Sequence, residues 1–242
     1  MTLWPFPIGT AATLHLLVFG LLLPVAGARS YRRLRTIPLP PRPVHFLSVT
    51  VQQLVFLGFA VWVARREGIV LFPPVAPGVP DLLLGAAVTA ALVALLRGRW
   101  RQSIERRERA AYLFMPWTAG ERRLWAAVSA AAGLAEEVAY RGVLVAILAR
   151  LAGSPLAAVP IAALLFGLAH GVQGRQSAVT IGGVALVFHG LVLVTGTLYV
   201  AIAVHFAYDL LAGLSYGRLG KELGYPRDGY PPEGAEPAPV GA

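Results

Sequence analysis

The chain has 242 residues, 57% of them apolar and 14% charged, with a mean hydropathy of +0.65. A soluble domain carries about 25% charged residues. This composition therefore points to an integral membrane protein and excludes a disordered chain, a collagen-like fibre and a disulfide-rich secreted domain. The absence of cysteine removes thiol nucleophiles, thiolate metal sites and disulfides. The formal charge is +9, but the basic residues fall in short clusters between apolar runs. That is the pattern of membrane loops, so nucleic acid is not an expected partner.

A helix needs about 20 mostly apolar residues to cross a bilayer. Seven stretches qualify in chain order: Ile8–Gly27, Val44–Ala64, Asp81–Leu96, Leu124–Leu151, Leu156–Gly171, Ala178–Val194 and Thr197–Ser215. The third and fifth are short. The runs are continuous and do not alternate, which excludes barrel strands. The expected fold is all-α, a polytopic membrane bundle of about seven transmembrane helices.

In the first span, Ala26-Gly27-Ala28 imitates a signal-peptide cleavage site. No basic n-region precedes it, however, and Arg29, Arg32, Arg33 and Arg35 follow, so it reads as a retained helix with its N-terminus outside. Assigning alternate loops to the inside leaves only Arg65, Arg66 and Arg150 outside and Arg141 within a span. Every other basic residue falls inside, which makes the C-terminus cytoplasmic. Trp4, Trp62, Trp100 and Trp125 sit near span ends, as interfacial anchors do.

Local punctuation supports these boundaries. Thr118 and Glu121 form a capping-box pattern, Ser154-Pro155 offers a cap with proline at the first helical position, and Thr195-Gly196 marks a turn. Arg97–Arg109 reads as a basic cytosolic loop that sets topology and can touch anionic headgroups. The chain divides into residues 1–120 (three helices and the basic loop), 121–217 (a four-helix core) and 218–242 (a cytosolic tail, mobile from about Gly224).

Ionisable residues inside a bilayer are costly and face protein or water-filled space. Here they gather in the later spans, as Glu136-Glu137-Val-Ala-Tyr-Arg141, Phe166-Gly-Leu-Ala-His170 and His205-Phe-Ala-Tyr-Asp209. Glu137 and Arg141 are four apart with the acid first, the better orientation for a helical ion pair. Glu136 is rotated by roughly 100° from Glu137, so it can enter a cavity while its neighbour is held by arginine. His205 and Asp209 share one helix face. A buried glutamate can serve as general base, and imidazoles can hold water, bind a metal or stabilise an oxyanion. Glu136, His170 and His205 would also make a two-His, one-carboxylate zinc set with an open position, which makes zinc a candidate cofactor. No G-x-S-x-G elbow or second intramembrane aspartate supports a serine or aspartyl protease.

These three motifs, in order on three apolar spans, resemble the CAAX protease and bacteriocin-processing (CPBP) family of intramembrane endopeptidases, which includes the type II CAAX prenyl endopeptidases. The resemblance covers about Glu121 to Ser215. It implies an all-helical fold with a cytosol-facing cavity, in which Glu136 activates water and His170 helps position it. By the same carry-over, His205 and Asp209 bind the oxyanion or complete a metal site. Many relatives have Asn where this chain has Asp209, and an ionised Asp is a better metal ligand and a worse oxyanion donor.

The implied activity is hydrolysis of a peptide or membrane-protein substrate within the bilayer. The competing readings are a non-catalytic scaffold or self-immunity protein, and a proton-coupled transporter. Phe166 reads as a packing residue on the pocket wall. His15, His45 and His189 have no acidic companion in sequence and read as structural or interfacial. Ala126–Ala135 reads as a close-packing helix face. The Arg-for-Lys bias and alanine richness suggest a prokaryotic plasma membrane. Oligomeric state is not encoded in any pattern found.

Overall fold

The computed structural model describes residues 8–34 and 38–227. Trp4, Arg35 and the tail beyond residue 227 lie outside the described residues. Among those residues helices are the only regular secondary structure, and they form a polytopic bundle.

α1 (Thr10–His15), a π segment (Leu16–Leu22) and α2 (Leu23–Leu34) run on as one helix. Pro24 follows the π segment closely. It has no N–H for the carbonyl four residues back and its ring crowds that carbonyl, so the wider turn relieves the helix there. α3 (Arg42–Arg66) and α4 (Val79–Glu105) follow, then the short α5 (Arg109–Leu113). α6 (Ala119–Glu136), a second π segment (Glu137–Leu144) and α7 (Val145–Ala152) again form one rod. α8 (Pro155–Ala169), α9 (Arg175–Thr195) and α10 (Leu198–Glu222) complete the bundle. Five of these helices are long and apolar enough to cross a membrane, and Pro155–Ala169 is a shorter apolar one.

The third span is longer than Asp81–Leu96. Asp81 accepts the Gly78 N–H at 2.9 Å to start α4, and the helix then runs to Glu105, so Arg97, Arg99 and Arg101 are helical and not loop. Arginine and glutamate propagate helices well, and the Arg101–Glu105 pair at 2.7 Å spans the last turn. α10 likewise continues to Glu222 through an Arg218–Glu222 pair, and Tyr225 beyond it is buried. Pro155 takes the first helical position as expected, but the Ser154 side chain makes no capping bond. Gly153 and Gly196 close their helices at φ 68° and 67°, a conformation that penalises any residue with a Cβ.

The helix ends sort into two groups. At one end the Arg109 Nε donates to Leu34 O at 2.8 Å, Arg42 pairs with Glu121 at 3.3 Å, and Arg42 also donates to the Arg227 carbonyl. At the other end Glu67 accepts the Ala12 N–H and pairs with Arg150. This is the alternation that the basic residues predict. Leucines and valines such as Leu54, Val55, Leu83, Leu95 and Leu164 face outward, as a lipid-solvated surface requires.

Candidate active site

The α6 rod is phased by its start. Thr118 Oγ1 accepts the Glu121 N–H at 3.1 Å, and Glu121 Oε2 accepts the N–H groups of Thr118 and Trp117 at 2.8 and 2.6 Å. This is the expected capping box, reinforced by Arg42. Partial burial pushes the Glu121 carboxyl up, but these hydrogen bonds and the Arg42 guanidinium outweigh it and hold the group below the ordinary carboxylate value.

Small residues then let α10 come close. A Cβ on Gly133 would stand 3.0 Å from Phe206 N, and one on Gly213 would overlap the Trp125 indole, whose Nε1–H donates to Asp209 O at 3.0 Å. The run Ala126–Ala135 is thus a packing face, as expected. Its effect is to bring the histidine of α10 against the glutamates of α6.

At that contact His205 Nδ1 lies 2.7 Å from Glu137 Oε1. Glu137 is fully buried and also pairs with Arg141 at 3.3 Å. An ionised carboxylate only accepts, so His205 Nδ1 carries a proton, and Nε2 faces the interior space. That Nε2 lies 3.8 Å from Glu136 Oε2 and 3.5 Å from Asp209 Oδ2. From α8, His170 Nδ1 reaches Phe166 O at 2.8 Å; a carbonyl also only accepts, so the His170 Nε2 is turned inward. It too lies 3.8 Å from Glu136 Oε2. Two imidazole nitrogens therefore converge on one carboxylate oxygen, at separations too long for a direct hydrogen bond but suited to a bridging oxygen.

These groups line one cavity of about 370 Å³. Its remaining wall is mostly apolar and aromatic, including Trp100, Phe114, Trp125, Phe188 and Tyr216. Residues 118–211 match the family model of type II CAAX prenyl endopeptidases, Rce1-like. The match contains every motif residue: Glu136, Glu137, Arg141, Phe166, His170, His205 and Asp209. It supports a CAAX-type intramembrane protease in general terms and, with the apolar helices, an integral multi-pass membrane protein. No curated protein and no solved structure matches the chain.

Within this Rce1-like segment, Phe166 does more than wall the pocket. Its ring carries the Arg141 guanidinium at 4.3 Å and stands against the His170 ring at 4.5 Å. Arg141 forms no hydrogen bond among the described residues, so charge and the aromatic face hold it. Glu137 differs from expectation in having two clients, Arg141 and His205. His189 is buried, and its Nε2 has no hydrogen-bond partner among the described residues. His15 is a structural histidine, whose Nε2–H donates to Ala139 O in the second π segment at 3.0 Å.

Among the described residues no group of three or more His, Asp or Glu side chains is arranged to hold a metal ion. Glu136, His170 and His205, the possible zinc set, converge without meeting that arrangement. One residue beside the site escaped the sequence reading. Gln53 on α3 donates from Nε2 to Glu136 Oε1 at 2.7 Å. The only sequence signal was the Gln52-Gln53 pair within an otherwise apolar span.

Proposed function

We propose that the chain is an intramembrane endopeptidase in which Glu136 activates a water molecule for attack on a peptide carbonyl. The observation that carries this reading is the convergence of His170 Nε2 and His205 Nε2 on Glu136 Oε2, each at 3.8 Å, inside a mostly apolar cavity. Water held between the imidazoles gives a proton to Glu136 as it adds to the carbonyl. His170 orients that water. His205, oriented by Glu137, donates from a protonated Nε2 to the oxyanion, and Asp209 joins it when protonated. Glu136 then passes its proton to the departing amine.

The apolar wall suits a hydrophobic or membrane-associated peptide. The clustering of basic helix ends near Arg42 and Arg109 supports an outside N-terminus and a cavity opening toward the cytoplasm. The Arg and Ala bias supports a prokaryotic plasma membrane.

The test is hydrolysis by purified protein. Glu136→Ala and His170→Ala are expected to abolish cleavage of a quenched peptide ending in a farnesylated CAAX motif, or of native substrates found by comparing the proteomes of cells carrying the native and Glu136→Ala chains. Both variants should still insert and unfold cooperatively. Full activity in either variant ends the proposal. Chelator titration with metal analysis of the same samples reads out zinc dependence directly.

A further inference from the structure

Gln53 lies on α3, outside the segment that matches the Rce1-like family. Its amide is buried, with the residue 8% exposed, and a buried amide is costly unless it is bonded. It is satisfied on one side only: Nε2 donates to Glu136 Oε1, while its own Oε1 has no hydrogen-bond partner among the described residues. The orientation follows from chemistry, because an ionised carboxylate accepts and cannot donate.

The two oxygens of Glu136 are thereby given different work. Oε1 is tied to Gln53, and Oε2 faces both imidazoles. A second, smaller cavity of about 130 Å³ lies beside the first, lined by Phe19, Leu23 and Phe56 as well as by Gln53, Glu136 and His170. A glutamate side chain free to turn could aim its carboxylate into either space. We infer that Gln53 is a positioning residue, which pins Glu136 so that Oε2 alone is presented to the reacting water in the larger cavity. The inference rests on the hydrolytic reading of Glu136.

Two measurements test it. In steady-state cleavage of the farnesylated peptide, Gln53→Met (similar shape, no donor) and Gln53→Glu (same shape, donor replaced by charge) should each lower kcat about 10- to 100-fold, with KM changed less than about twofold. Their unfolding temperatures should match the wild type. In micelles with ¹⁵N-labelled glutamine side chains, the Gln53 NH₂ signal, identified by its loss in Gln53→Met, should shift in Glu136→Ala. The inference is overturned if Gln53→Met keeps its kcat, if the change falls on KM alone, or if the NH₂ signal ignores Glu136. A wild-type protein that cleaves nothing defeats the hydrolytic reading instead, and the spectrum still decides whether Gln53 holds Glu136.

Discussion

Glu136 and Glu137 are adjacent, yet their surroundings divide the work between them. Glu136 borders the cavity; Glu137 is sealed between Arg141 and His205. Removing one partner of a buried pair strands the other charge, at a cost of about 3–5 kcal/mol. Glu137→Ala should therefore lower unfolding stability by about that amount and leave His205 unoriented, whereas Glu136→Ala should abolish cleavage at a smaller cost, about 1–2 kcal/mol, from the Gln53 amide it leaves unbonded. Denaturant titration of both variants in one detergent checks this. If Glu137→Ala unfolds like the wild type, the buried pairing is wrong. The division was legible in the sequence, because helical rotation separates the two acids and only Glu137 has an arginine four residues on. The bond from Gln53 was not. Its partner is 83 residues away, and an amide among Ser48, Thr50 and Gln52 carries no mark of its target.

At the scale of helices, the site depends on how closely backbones approach. Gly133 fits against Phe206 with no room for a methyl group to spare, and that approach sets the Glu137–His205 distance. Gly133→Ala must push α6 and α10 apart by a few tenths of an ångström. It should reduce kcat about 10-fold or more, because small displacements of reacting groups are amplified in rate. Gly98→Ala, which meets nothing within 4 Å, should be silent. Equal kinetics for the two variants would show that the helix spacing is not limiting. Gly27 makes a similar contact on the opposite side, against the carbonyls of Leu168 and Ala169 just before His170. The spans themselves could be read from length and hydropathy. The two π segments could not, since a single widened turn leaves almost no trace in apolar periodicity. They nonetheless pack together, Phe19 on Tyr140 at 5.3 Å, and one of them begins at Glu137.

Across the whole molecule, the Arg42–Glu121 pair ties α3 to the start of α6 and, through the Arg227 carbonyl, to the residues after α10. Because folding lowers the Glu121 pKa, the folded state binds its proton less readily than the unfolded chain does. The stabilisation is complete above the ordinary glutamate value of 4.5 and is lost as pH falls toward and through the lower folded value. Thermal unfolding between pH 7 and 3 should show this acid slope in the wild type and a shallower one in Glu121→Gln. Parallel slopes would remove Glu121 from the account. The sequence revealed an all-helical, polytopic bundle because the bilayer imposes length and hydropathy on each span, although only five of its helices are long and apolar enough to cross a membrane where about seven spans were expected. It underestimated how far α4 and α10 extend past the apolar stretch, because arginine and glutamate continue a helix in water as readily as leucine does in lipid.

The indole of Trp125 is wedged against Gly213, hydrogen-bonded to the backbone of Asp209, and exposed to the same space as Glu136. It is consequently a built-in optical reporter. In a chain whose other tryptophans are replaced, Trp100 on the same wall among them, emission from Trp125 should report whether a peptide occupies the chamber.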